Sequence, residues 1–109
     1  MSWLLRDGKV LATLELAEWR PSGFRALGDK HPIEGAVLVR PALPIHTAFR
    51  RVPMDLAFCD AHLVVVATSS LHGMRVGLPP LRARSAILAE AGSFERWHLC
   101  PGDQLEITG

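Results

Sequence analysis

The stretch IHTAFRRVPMDLAFCDAHLVVVA, Ile45 to Ala67, decides how the rest of the chain is read. From Met54 to Cys59 the side chains alternate. Met54, Leu56 and Phe58 share one face and Asp55, Ala57 and Cys59 the other, which is the period of a strand. Asp60-Ala61 reads as a turn. Leu63 to Ala67 is a continuous and largely β-branched run, the pattern of a central strand covered on both faces. Together these two runs predict a hairpin. Upstream, Ile45 to Thr47 reads as a short strand, isolated by Pro44 on one side and by Arg50, Arg51 and Pro53 on the other, because proline cannot donate to a ladder.

Working outward, Trp3 to Leu16 predicts another hairpin. Its turn is Asp7-Gly8, a pair that tolerates the positive φ a type I′ turn needs at both central residues. Val10, Ala12, Leu14 and Leu16 then alternate with more polar positions. Ala17 to Gly28 reads as one short helix or two turns, cut short by Pro21. Ala36 to Arg40 is an apolar run of strand length. Ser69 to Leu81 reads as a loop punctuated by Gly73, Gly77, Pro79 and Pro80. Arg84 to Glu90 predicts a strand, and Gly92-Ser93 opens a one-turn helix that points Phe94 and Trp97 the same way. Pro101-Gly102 fits a type II turn. Gln104 to Thr108 closes the chain as a strand. About seven short strands with Gly/Pro turns and at most two short helices predict a mostly β fold, a closed or nearly closed small antiparallel β-barrel. Closure would also hide sheet edges, which matters in a chain this apolar.

Length and composition agree with one globular domain, residues 1–109. A chain of 109 residues buries roughly two-thirds of its unfolded surface and needs no metal or disulfide to fold. The net charge is +1, too small to draw nucleic acid or an acidic membrane by itself. Ten of the twelve basic residues are arginine, and tyrosine and asparagine are absent, a bias that fits a GC-rich, bacterial genome. The aromatic residues are scattered over inward-patterned positions and read as core rather than as a stacking platform. No apolar run approaches the roughly 18 residues of a membrane span, and the N-terminal apolar run is shorter than a signal peptide requires. The cytoplasm is the expected compartment, with both cysteines, Cys59 and Cys100, reduced.

Chemistry concentrates where the strands are interrupted. His46, Thr47, Arg51 and Asp55 are the candidate ligand-binding residues: imidazole, hydroxyl and guanidinium donors orient a polar ligand, and a carboxylate fixes the imidazole tautomer. A structural role competes with this, since Thr47 and Asp55 can equally satisfy backbone groups left loose where prolines break the ladders. Catalysis has less to rest on. Ser69, Ser70 and Cys59 lack an elbow of the Gly-x-Ser-x-Gly kind, and the glycines at 73 and 77 lack the Lys-Ser/Thr ending of a phosphate loop. Cys59 and His62 with His98 and Cys100 have a spacing that could form a tetrahedral zinc site. C-x-x-H alone is a weak motif, and buried thiols with exposed imidazoles are the simpler reading. Neither a metal nor a cofactor is expected.

The same residues carry a resemblance. His46-Thr47, then Pro53-Met54-Asp55, then Phe58 to Asp60 resemble the signature of the domain-of-unknown-function 192 family, also called uncharacterised protein family 0127. Arg20 and RALGD at Arg25 to Asp29 match its upstream arginine and short helix, Leu88 to Gly92 with Glu90 match a Leu-Glu-x-x-Ala-Gly run, and Gly102-Asp103 match its Gly-Asp turn. The likeness spans nearly the whole chain. It departs at Ala48-Phe49-Arg50, where the family often has Phe-Gly-Met, and around Pro21. It implies a small, mostly β fold with no established activity, and adds Arg20, Glu90 and Asp103 as secondary site candidates. The function these readings predict is a binding module that holds a polar small molecule or a peptide end at the bend from His46 to Asp55. The alternative is an accessory domain that meets a protein through residues 69–81, and a hydrolase-like enzyme using His46 and Asp55 comes third. The expected assembly is a monomer or weak homodimer.

Overall fold

The computed structural model describes residues 2–18, 35–42, 45–46, 53–71 and 76–109. Nine strands and one short helix appear among them: β1 (Ser2–Arg6), β2 (Lys9–Glu18), β3 (Ala36–Arg40), β4 (Ile45–His46), β5 (Met54–Cys59), β6 (Val65–Leu71), β7 (Val76–Gly77), β8 (Ser85–Glu90), α1 (Ser93–Trp97) and β9 (Leu105–Thr108). Seven of the strands form one sheet in the order β6-β5-β8-β3-β2-β1-β9, while β4 and β7 pair separately. The fold is mostly β, the large sheet curling into a half-barrel.

Local sequence explains most of the elements. Asp7 and Gly8 have φ of 54° and 76°, so the first hairpin turns with positive φ at both central residues, as Asp-Gly permits. Its ladder slips by one residue between Leu4 and Leu5. That bulge changes the phase of β2: Leu11 and Ala12 both pack on the core, while Val10 is exposed. Trp3 lies outside the core and is 38% exposed, which corrects its reading as an inward aromatic.

The sheet departs from the expected order in two places. β2 and β3 run parallel, with Leu14 opposite Ala36 and Glu18 opposite Arg40, so the sheet is not wholly antiparallel. β6 is an edge strand and not a central one. Leu63 belongs to the turn before it, at φ 62°, and the strand continues through Ser69, Ser70 and Leu71, where the sequence predicts a loop. The two ends of the sheet nevertheless meet. Val64 forms a bridge with Gln104, the Val65 N–H donates to the Asp103 carbonyl at 2.9 Å, and the Leu105 N–H donates to the Leu63 carbonyl at 3.0 Å. Backbone groups at that corner are thus paired, as the need to protect edges demands.

β3, β5 and β8 are buried on both faces. One face packs Leu38, Ala57, Cys59 and Ile87 with Leu4, Leu14 and Leu105, covered by Phe94 and Leu99 at α1. The other packs Val39, Met54, Leu56, Phe58 and Leu88 with Ala17 and Leu71. Asp55 therefore does sit opposite Met54 and Leu56, but its face is also a core face.

Candidate functional site

Asp55 is 3% exposed in the middle of this structure. Its neighbours in the ladders are Ser70 on β6 and Ala89 on β8. Just past Ala89 the chain turns at Ala91-Gly92 and starts α1 directly beside β5. That helix begins at Gly92, at φ 94°, with no side chain capping it. A helix start leaves N–H groups without intrahelical partners, and burial makes them costly unless an acceptor reaches them. Asp55 supplies it. Its Oδ2 accepts from the Gly92 N–H at 3.1 Å and from the Phe94 N–H at 3.0 Å, and its Oδ1 accepts from the Ser70 hydroxyl at 3.0 Å. One carboxylate thus joins the centre of the sheet, its edge strand and the helix.

The other end of α1 is held by a second constellation. His98 takes a left-handed conformation, and the Leu99 N–H donates to the Phe94 carbonyl at 2.9 Å, which closes the helix. The Arg6 guanidinium then donates to the carbonyls of Trp97 and His98 and forms an ion pair with Asp103 at 3.0 Å. Asp103 in turn accepts from the Cys100 N–H at 2.9 Å. The Phe94 and Trp97 rings lie 5.7 Å apart between these two anchors.

Above Asp55 opens a cavity of about 190 Å³. Thr68, Ser69 and Ser70 of β6 form one wall, and Gly92, Phe94 and Glu95 at the start of α1 form the other. Its polar groups are hydroxyls and carboxylates, so it can accept and donate hydrogen bonds.

Of the predicted cluster, only Asp55 has its side chain among the described residues. Asp55 is engaged by Ser70, Gly92 and Phe94, none of which the sequence places near it. His46 lies on β4, opposite Val76, and its side chain is outside the described residues, as are Thr47, Arg51 and Arg20 entirely. Glu90 is exposed at the end of β8, and Asp103 serves the Arg6 anchor. Among the described residues no three His, Cys, Asp or Glu side chains converge as a metal site. Cys59 is buried while Cys100, also expected inside, is exposed, and His62 and His98 are exposed. Burial pushes the Cys59 thiol up to about 12, and neighbouring Asp60 adds to the shift. Asp60 accepts from the N–H groups of Val64 at 3.0 Å and His62 at 2.8 Å. The Val64 bond leads in holding its carboxyl below the usual range.

Sequence reasoning does not single out Arg6, Thr68 or Glu95, and it weighs Ser70 only as a nucleophile and as part of residues 69–81, not as a partner of Asp55. One signal was available: Ala91 and Gly92 offer the helix no capping side chain, so its first N–H groups had to find an acceptor elsewhere.

Two solved structures share the fold. A protein of unknown function from Novosphingobium aromaticivorans aligns with a TM-score of 0.72 at 14% identity, covering 96% of this chain and 82% of that one. A proposed transcription regulator from Sinorhizobium meliloti aligns with a TM-score of 0.70 at 21% identity, covering 96% and 90%. The chain shares their architecture. No family model matches the sequence, and no curated protein matches it. No helix among the described residues is long and apolar enough to cross a membrane.

Proposed function

We propose that this chain is a cytoplasmic binding module of the domain-of-unknown-function 192 type, which holds a polar small molecule or a peptide end. The supporting observation is the cavity of about 190 Å³ over a buried carboxylate that already accepts three hydrogen bonds. Pockets of this kind pair a preformed wall with a few fixed polar groups. In this reading Asp55 positions the walls, and Thr68 and Glu95 meet the ligand. His46, Thr47 and Arg51 belong to the same proposal as ligand contacts contributed from the bend before β5. Catalysis is not part of it.

The test is a fragment screen followed by amide chemical shifts on the labelled chain. Saturable shifts centred on Thr68 to Ser70 and Gly92 to Glu95, with a raised melting temperature, are expected. Hits that shift other regions alone would count against it.

A second reading is a protein contact through residues 69–81. Leu78 and Leu81 are 71% and 98% exposed around Pro79-Pro80, which favours it. The Sinorhizobium meliloti protein is named for a role in transcription; with a net charge of +1 we propose no nucleic-acid partner for this chain.

A further inference from the structure

We propose, resting on the binding reading above, that the cavity over Asp55 selects an organic cation, namely a primary ammonium carried by a small amine or by the N-terminus of a peptide. Among the described residues, every ionisable side chain in the cavity wall is a carboxylate, Asp55 below and Glu95 at the rim. The hydroxyls of Thr68 and Ser70 stand along the facing wall, on the face of the sheet that Asp55 shares, and each can accept a hydrogen bond. An ammonium has three donors and no acceptor, so it suits a wall rich in acceptors. Phe94 contributes apolar surface for the carbon attached to it.

An anionic ligand meets the opposite situation. The Asp55 oxygens are already engaged by two amides and a hydroxyl, and those donors are not free for a second anion. Because Asp55 is 3% exposed, its charge is less screened than a surface carboxylate's and would repel an incoming one. One guanidinium stands close by. Arg96 donates to the Ser93 hydroxyl at 3.1 Å and lies 3.4 Å from where a Cβ on Gly92 would be. It is exposed, tied to the helix start, and moderates the negative field without lining the cavity. The volume corresponds to roughly six water molecules. That is room for a head group or one terminal residue.

The experiment titrates the labelled full chain with butylammonium, butanol and butyrate, which share one carbon skeleton and differ in charge. Two further arms use a short peptide amide with a free and with an acetylated N-terminus. Butylammonium is expected to move the amides of Ser69, Ser70, Gly92 and Glu95 saturably, and the free peptide to do so better than its acetylated form. A tighter fit of the free peptide than of butylammonium assigns the site to peptide ends, and the reverse assigns it to small amines. Glu95→Gln should weaken cation binding about threefold, and Glu95→Lys should turn the preference towards butyrate. Butyrate or butanol binding as tightly as butylammonium would overturn the charge assignment and leave a binding module standing. If no probe moves these amides while fragments of the earlier screen do, the cation proposal falls alone. If neither set moves them, the binding reading falls with it.

Discussion

The Phe94 N–H points at the Asp55 carboxylate from 3.0 Å away, across 39 positions of sequence. That bond, with the matching one from Gly92, lets a five-residue helix form where its own sequence provides no cap. A helix this short is unstable alone and needs tertiary contacts to persist. The cavity exists because the helix start is held beside β6.

Gly35 tests how closely β2 and the residue before β3 approach. Its φ is +67°, and a Cβ there would lie 2.6 Å from the Thr13 carbonyl oxygen. Backbone cannot yield as a flexible side chain can. Gly35→Ala should destabilise by about 2 kcal/mol or more in a urea melt, and adding Thr13→Ala, which removes the Thr13 hydroxyl that also lies in the way, should not rescue it. An unchanged midpoint would refute the close approach.

The Arg6 anchor should behave differently from a simple ion pair. The Arg6 and Asp103 side chains are 21% and 27% exposed, so their mutual coupling in a double-mutant cycle should stay below about 1 kcal/mol. Arg6→Ala should cost more than that coupling, because the Trp97 and His98 carbonyls lose a donor as well. Equal values for the two quantities would contradict the carbonyl contacts.

The hairpins and the strand Met54–Cys59 were legible because their signals are local. Asp7-Gly8 dictates its turn, and alternation places Asp55 opposite Met54 and Leu56. What sequence could not supply was long-range order. Nothing local in β2 or β3 announces that they pair in parallel. The run at Leu63 to Ala67 looks central because β-branched residues suit any buried ladder, yet the strand is an edge whose first residue and preceding turn meet Asp103 and Leu105. Asp55 was grouped with His46, Thr47 and Arg51 because they are near in sequence. Its described partners come from β6 and α1, brought in by the order of the sheet.

The two thiols should separate cleanly. Cys100 is exposed and should react with a maleimide at pH 8, whereas Cys59 should remain unlabelled until the chain unfolds. A thiol raised to about 12 in the fold contributes stability that is complete below the unfolded value near 8.5. That contribution is lost as pH rises towards 12. Cys59→Ala should therefore flatten the alkaline limb of the stability profile, and an unaltered limb would argue against the assignment.

Asp60 should dominate a local acid transition. Its lowered carboxyl stabilises the turn above the ordinary aspartate value, and the contribution fades as pH falls through the folded value. Carboxyl carbon shifts should show Asp60 titrating below a typical surface aspartate, with the Val64 amide following the same curve. A titration in the ordinary range, or a Val64 amide that ignores it, would contradict the turn geometry.

The most direct test of the central claim is the unfolding free energy of Asp55 variants in urea. Asp55→Ala orphans the buried Phe94 amide, the partly buried Gly92 amide and a hydroxyl, and should cost about 3 kcal/mol or more. Asp55→Asn can keep one oxygen on the Gly92 and Phe94 amides and turn its own amide to Ser70, so it should lose less, about 1–2 kcal/mol. Ser70→Ala, which removes one bond, should cost about 1 kcal/mol. That ranking, with loss of the Phe94 amide's protection from exchange in Asp55→Ala, is the predicted result. An Asp55→Ala protein as stable as the parent would contradict the account.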